Sequence, residues 1–155
     1  PAYQLYTVPE YNFNSTNGYH GEVRIQSDTL ASTDAVAYFR NRMSFQLVVD
    51  NGSGQNGDGV GAVEFQIKDT ETKEVVYQHT EQGKPYCVFS NQKAYCENVW
   101  RFAGTKFKWP RSDEGSGVAP NQPVLTDHSY TAVMNVTDPN GNPVGQGDFE
   151  FEIVQ

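Results

Sequence analysis

The chain contains little of what builds helical cores or membrane spans. Hydrophobic residues make up 37% of the sequence, and methionine occurs only twice. No apolar run reaches about 18 residues, the length from which a membrane-spanning helix is read, and no long segment has a helical period. The sequence therefore predicts no membrane span and disfavours a helical bundle.

Basic residues are also scarce. Lysine and arginine together number 11 against 19 aspartate and glutamate residues, which gives a net charge of −8. An acidic chain repels phosphate backbones and anionic lipid surfaces. Nucleic acid is therefore not an expected partner.

Only two cysteines occur, Cys87 and Cys96. Their spacing is not the Cys-x-x-Cys of redox-active pairs, and the three histidines are too scattered in the sequence to complete a zinc site. A close, even pair predicts a structural disulfide. The chain begins Pro1-Ala2 without methionine, which is typical after removal of a signal peptide. We therefore expect a secreted protein, either extracellular or at the cell surface.

Apolar and polar residues alternate in many short segments separated by Gly, Asn, Asp and Pro. Since alternate side chains of a strand share a face, the apolar set is expected to face the core. The expected inward sets are Val23 and Ile25; Phe45, Leu47 and Val49; Val63, Phe65 and Ile67; Val75 and Tyr77; Tyr130, Ala132, Met134 and Val136; and Phe149, Phe151 and Ile153. Strands are also expected at residues 3–8, 35–50, 99–102 and 105–109, and loops at 50–61 and 110–123. About eight to nine short strands predict an all-β, antiparallel sandwich in preference to a barrel.

The N-terminal residues suggest a division of the chain. Residues 3–8 alternate and end at Pro9, whereas residues 10–21 are polar and are interpreted as a linker. We expect an N-terminal strand and tether at 1–21 and the sandwich at 22–155. The strand, with Tyr3, Leu5 and Thr7, either folds back onto its own sandwich or pairs with the exposed edge of a neighbouring subunit.

Residues 60–155 contain stretches found together in a known class of module. They are VEFQIKD at 63–69, PYCVF at 85–89, CENVWRF at 96–102, and SYTA at 129–132 running into VTDPNG at 136–141. In these stretches the chain resembles the immunoglobulin-like (fibronectin III-like) modules of secreted bacterial proteins. The resemblance implies a non-catalytic sandwich of the kind that accompanies enzymes, adhesins or surface assemblies. The cysteines are too close in sequence for the bridge between sheets that antibody domains contain.

Residue types used in catalysis occur, but not in a catalytic pattern. Asp127, His128 and Ser129 are consecutive, so in a strand they point to alternating faces and do not converge. Glu150 and Glu152 share a face at about 7 Å, near the spacing of glycosidase carboxylates, but alternating acids on a terminal strand usually form a solvated face. We therefore expect that the chain is not an enzyme.

Aromatic residues cluster in sequence around the cysteines. They are Tyr86, Tyr95, Trp100 and Trp109. Exposed aromatic rings can stack on the apolar face of a sugar, so these residues are candidates for glycan binding. The other interpretation, core packing beside the disulfide, is favoured because tryptophan is usually well buried.

The glycine-rich loop at residues 50–61 is a candidate calcium site. Asp50, Asn56 and Asp58 supply oxygen atoms of the kind that Ca²⁺ prefers, but the EF-hand spacing and its bidentate glutamate are missing. A plain hairpin loop is the favoured alternative. No other cofactor is expected.

The leading expectation is a non-catalytic extracellular structural or adhesive subunit, pilus- or fibre-like, that assembles with copies of itself by donating the N-terminal strand. The alternative is a carbohydrate-binding module that uses the aromatic residues to bind a cell-surface glycan.

Overall fold

The computed structural model describes residues 4–7, 12–27, 30–33, 36–89, 96 and 99–154. Its strands are β1 (Gln4–Thr7), β2 (Asn12–Ser15), β3 (His20–Ser27), β4 (Leu30–Thr33), β5 (Val36–Arg40), β6 (Arg42–Met43), β7 (Phe45–Asp50), β8 (Ala62–Asp69), β9 (Val75–Glu81), β10 (Tyr86–Cys87), β11 (Trp100–Arg101), β12 (Ser129–Thr137) and β13 (Pro143–Val154). Within these ranges the only helical element is the single 3₁₀ turn Ala103–Thr105. The predicted all-β class is confirmed.

The strands form two main sheets. The first has the order β1-β3-β7-β10 and is antiparallel throughout. The second has the order β4-β5-β13-β12-β8-β9, with β2 also paired to β13. Its pairs are antiparallel except β5 with β13, which run parallel. The two short strands β6 and β11 pair with each other.

The apolar faces of the two sheets pack together to form a sandwich. The Phe45 ring of the first sheet meets Phe65 and Phe149 of the second edge-on, with centroids 5.9 and 5.0 Å apart. Nearly every residue of the expected inward sets is buried, which confirms the alternation. The exception is Val75, which is only half-buried, because the register of β8 and β9 shifts between Ile67 and Lys68. Burial of each large side chain stabilises the fold by about 1.5–3 kcal/mol.

Two of the expected strands are interrupted. The segment 35–50 is divided into β5, β6 and β7 at Asn41, whose φ of 61° is left-handed. Asn41 accepts hydrogen bonds there from the N–H groups of Phe102 and Ala103. The strand expected at 105–109 is wrong, because Lys106 and Phe107 have φ values of 58° and 54° and turn the chain.

The interpretation of residues 10–21 as a linker is also wrong, because β2 lies within them and β3 begins at His20. The ring of Phe13 in β2 fills a slot between the sheets. A Cβ atom at Gly21 of the first sheet would lie 2.6 Å from this ring, and one at Gly145 of the second sheet 2.7 Å from it. Phe13 therefore anchors the N-terminal segment to both sheets.

The Phe13 slot can be tested with a double-mutant cycle. Phe13→Ala should lower the free energy of unfolding by about 2–4 kcal/mol, because it empties a packed site. Gly21→Ala should cost about 1–3 kcal/mol because its methyl group overlaps the ring. In the Phe13→Ala background the Gly21→Ala cost should largely disappear, which denaturant titration of the four proteins will measure.

The control is Gly83→Ala, since no atom lies within 4 Å of a Cβ at Gly83. It should change stability by less than about 0.5 kcal/mol. Strictly additive effects of the Phe13 and Gly21 changes would contradict the slot.

Candidate functional site

The predicted aromatic array is not an exposed surface. Tyr86 is 2% exposed and Trp109 is fully buried, where its ring contacts Phe102 and Tyr130 edge-on. Trp100 is half-buried, and its indole N–H donates to the Lys108 carbonyl. Core packing, the favoured alternative, is what the structure shows for Tyr86 and Trp109, which are therefore not available to stack on a sugar. Tyr95 lies outside the described residues.

Two of the three side chains proposed for calcium, Asp50 and Asn56, accept hydrogen bonds from backbone N–H groups in or beside the loop. The Asp50 carboxylate accepts hydrogen bonds from the N–H groups of Gly52 and Gly54, and Asn56 Oδ1 accepts one from Val49. Asp58 is exposed, and its carbonyl accepts from the Asn51 N–H. Among the residues described, no group of three or more His, Cys, Asp or Glu side chains is arranged to hold a metal ion. Calcium binding stays a prediction.

The residue types associated with catalysis have separate partners. His128 Nε2 lies 2.9 Å from Asp69 Oδ2, whereas the Ser129 hydroxyl donates a hydrogen bond to Thr70 Oγ1. Asp127 is exposed. Burial raises the pKa of Asp69, but hydrogen bonds from Thr72, His128 and Glu71 outweigh it and the net pKa is lowered. These contacts brace the turn after β8.

The disulfide predicted between Cys87 and Cys96 is confirmed. Both residues are buried, and Cys87 belongs to the edge strand β10. The bond ties the chain beyond β10 back to the first sheet. Disulfides are typical of proteins outside the reducing cytosol.

The first sheet has β1 and β10 as its two edge strands, and the second sheet has β4 and β9. β1 pairs within its own chain, antiparallel to β3, with Leu5 opposite Gln26 and Thr7 opposite Arg24. It forms no other strand pairing within the described residues. One edge of β1 thus has no strand partner among the residues that the structure describes, and Tyr3 lies outside them.

The outer edge of β9 is covered by residues 110–119, which we call the covering segment. The Gln78 N–H donates to Ser112 Oγ at 3.0 Å, and the Gln78 carbonyl accepts from the Asp113 N–H at 3.1 Å. The Thr80 N–H donates to Asp113 Oδ2 at 2.8 Å. The covering segment thus takes the place of a further strand. The sequence predicted a loop here but gave no signal that it caps an edge.

His79 joins the covering segment to β9. Its Nδ1 lies 2.7 Å from Asp113 Oδ1, and its Nε2 lies 2.7 Å from Glu81 Oε1. Burial lowers the pKa of His79, but hydrogen bonds to the two carboxylates and their charges outweigh it, so the net pKa is raised. Burial and the same two charges raise the pKa of Tyr77.

Beside this edge lies an open polar cleft of about 730 Å³. Its floor is the outer face of β8 and β9, and the covering segment forms a wall. Polar side chains line it, among them Glu64, Gln66, Glu74, Gln78, Thr80 and Asp113. Glu64 accepts hydrogen bonds from Asn135 Nδ2 and Gln78 Nε2 at 3.1 and 3.2 Å. Polar side chains of the floor therefore form hydrogen bonds with one another.

Comparisons with protein-family models, with curated proteins and with solved structures give no match for this chain. Within the described part of the chain, no helix is long and apolar enough to cross a membrane. The class of the protein is thus defined by its strands and its disulfide alone: it is a disulfide-bonded all-β sandwich.

Replacement of both Cys87 and Cys96 by serine should lower the free energy of unfolding by about 2–3 kcal/mol, because the bond closes a short loop and restricts the unfolded chain. Denaturant titration of the variant and of the oxidised parent will measure the difference. Equal midpoints would contradict a stabilising role.

His79 should make stability depend on pH. Its folded pKa is raised above the unfolded value, so its contribution is complete below about pH 6.5 and is lost as pH rises through the folded pKa. At low pH His79→Gln should cost about 1–3 kcal/mol, the range for charge-assisted hydrogen bonds. Urea titrations from pH 5.5 to 9 should show this cost shrinking as pH rises. A cost independent of pH would contradict the assignment.

Proposed function

We propose that the chain is a non-catalytic, secreted structural or adhesive subunit, an immunoglobulin-like module that assembles with copies of itself by exchange of β1. The observation that carries the proposal is the pairing of β1, a strand of four residues at a sheet edge that pairs, within the described part of the chain, only with β3. A strand held along one side can be replaced in its groove by the same strand of another copy.

The other edges support this choice because each has a feature that hinders strand pairing. β9 is capped by the covering segment. β10 has only two residues, and β4 has an irregular register between Leu30 and Thr33. Short, irregular or covered edges are the usual means by which sandwiches prevent strand addition.

Exchange also requires that β1 can leave without unfolding the rest. Residues 8–11 separate it from β2, and β2 is fixed to β13 and by the Phe13 ring between the sheets. The sandwich would therefore retain β2 when β1 is displaced. The disulfide supports a secreted location, since an oxidising environment preserves it.

Exchange of β1 can be tested by cross-linking single-cysteine variants. Leu5→Cys and Gln26→Cys alter positions that face each other in the β1–β3 register. The native cysteines are bonded to each other, so they leave no free thiol. Mixed at high concentration and oxidised, the two variants should give a covalent heterodimer, because exchange brings the two thiols of different copies together. Non-reducing electrophoresis detects it.

The control is Leu5→Cys mixed with Gly83→Cys, which measures random collision of exposed thiols. A heterodimer no more abundant than in this control, together with complete cross-linking inside one chain in the Leu5→Cys/Gln26→Cys double variant, would show that β1 stays with its own sandwich. Filaments or oligomers of the parent in electron micrographs should disappear when residues 1–8 are deleted.

A further inference from the structure

The His79 imidazole bridges two carboxylates on different parts of the chain. Each ring nitrogen lies 2.7 Å from a carboxylate oxygen, Nδ1 from Asp113 and Nε2 from Glu81. A neutral imidazole has one N–H and one lone pair, so it can donate to only one of them. An ionised carboxylate only accepts. With both carboxylates ionised, both hydrogen bonds require the doubly protonated, positively charged ring.

We propose that His79 is a proton-controlled latch that holds the covering segment over the outer edge of β9 while the ring is charged and releases that edge when the ring loses its proton. The proposal does not depend on the exchange of β1. It concerns a different edge, on the other sheet, and different residues.

The consequence of deprotonation follows from the charges around the ring. His79 faces Asp113 of the covering segment and Glu81 of its own strand, and β8 places the apolar Phe65 opposite it. The Tyr77 phenol, which the same two carboxylates also influence, donates its hydrogen bond to the Val88 carbonyl. The charges that act on His79 are those of the two carboxylates. After proton loss one carboxylate faces a nitrogen lone pair, and two negative charges lose the cation between them. Both effects weaken the attachment of Asp113.

Asp113 is also, with Ser112, one of the two residues that cap the edge. The same carboxylate accepts the Thr80 N–H, and the Asp113 backbone N–H donates to the Gln78 carbonyl. When Asp113 moves away, the outer N–H and C=O groups of β9 become free to form hydrogen bonds with an added strand. The 15% exposure of the His79 side chain leaves the ring accessible to solvent protons.

Hydrogen exchange measured by NMR on the full-length oxidised chain tests the latch. Between pH 5.5 and 9, protection of the Gln78 and Thr80 amides, corrected for intrinsic rates, should fall about tenfold or more, the loss expected for one charge-assisted hydrogen bond. The fall should follow the titration of the His79 ring. The alternate amides of Tyr77 and His79 point toward β8 and should stay protected.

In His79→Gln the Gln78 and Thr80 amides should have low protection at every pH, with no midpoint. The matched control is His20→Gln, which removes an exposed histidine from β3 and should leave the pH dependence intact. The latch is wrong if His79 titrates without a change at Gln78 and Thr80, or if His79→Gln keeps the parent's protection. Loss of protection at Tyr77 as well would mean that the whole strand opens, which also overturns it.

Discussion

Backbone N–H and C=O groups at a sheet edge need partners, and a buried group without one costs about 1–3 kcal/mol. In this sandwich the outermost strands are β1, β10, β4 and β9. At β9 of the second sheet, side chains supply these partners. Ser112 and Asp113 accept hydrogen bonds from the Gln78 and Thr80 N–H groups, which would otherwise pair with a further strand. Hydrogen bonds to the edge of β9 thus hold residues 110–119 in place. The polar cleft exists because this segment is held there.

The contact of the first sheet with β2 depends on a different constraint, which is the space that the Phe13 ring occupies. Phe13 occupies space that side chains at Gly21 and Gly145 would fill, so the glycines and the phenylalanine require each other. The contact fixes β2 on the second sheet directly after β1 has paired on the first. The N-terminal chain therefore crosses the sandwich and is anchored beyond β1. The β2 strand is therefore held by contacts that do not involve β1.

The core could be read from the sequence because its signal is local. Alternation in β7, β8, β12 and β13 selects one face of each strand, and almost the same residues are buried in the structure. The interruption at Asn41 could not be predicted, because this left-handed residue accepts hydrogen bonds from Phe102 and Ala103, about 60 positions away. The turn at Lys106 is local, where this left-handed residue ends the 3₁₀ turn Ala103–Thr105, but no glycine or proline at that position indicates it. β2 was missed because Phe13 is a single apolar residue among polar ones, and its slot is made by glycines far away in sequence.

The same distinction explains the outcome for the candidate site. The disulfide was predictable from cysteine spacing, whereas the cap on β9 joins residues more than 30 positions apart. Nothing in the sequence around His79 indicates that Asp113 will meet it. The excess of acid matters here: with a net charge of −8, copies of the chain repel each other, and salt screens that repulsion. Under the proposed exchange of β1, directional backbone pairing at an edge would have to overcome this repulsion, so the proposal depends on the state of each edge.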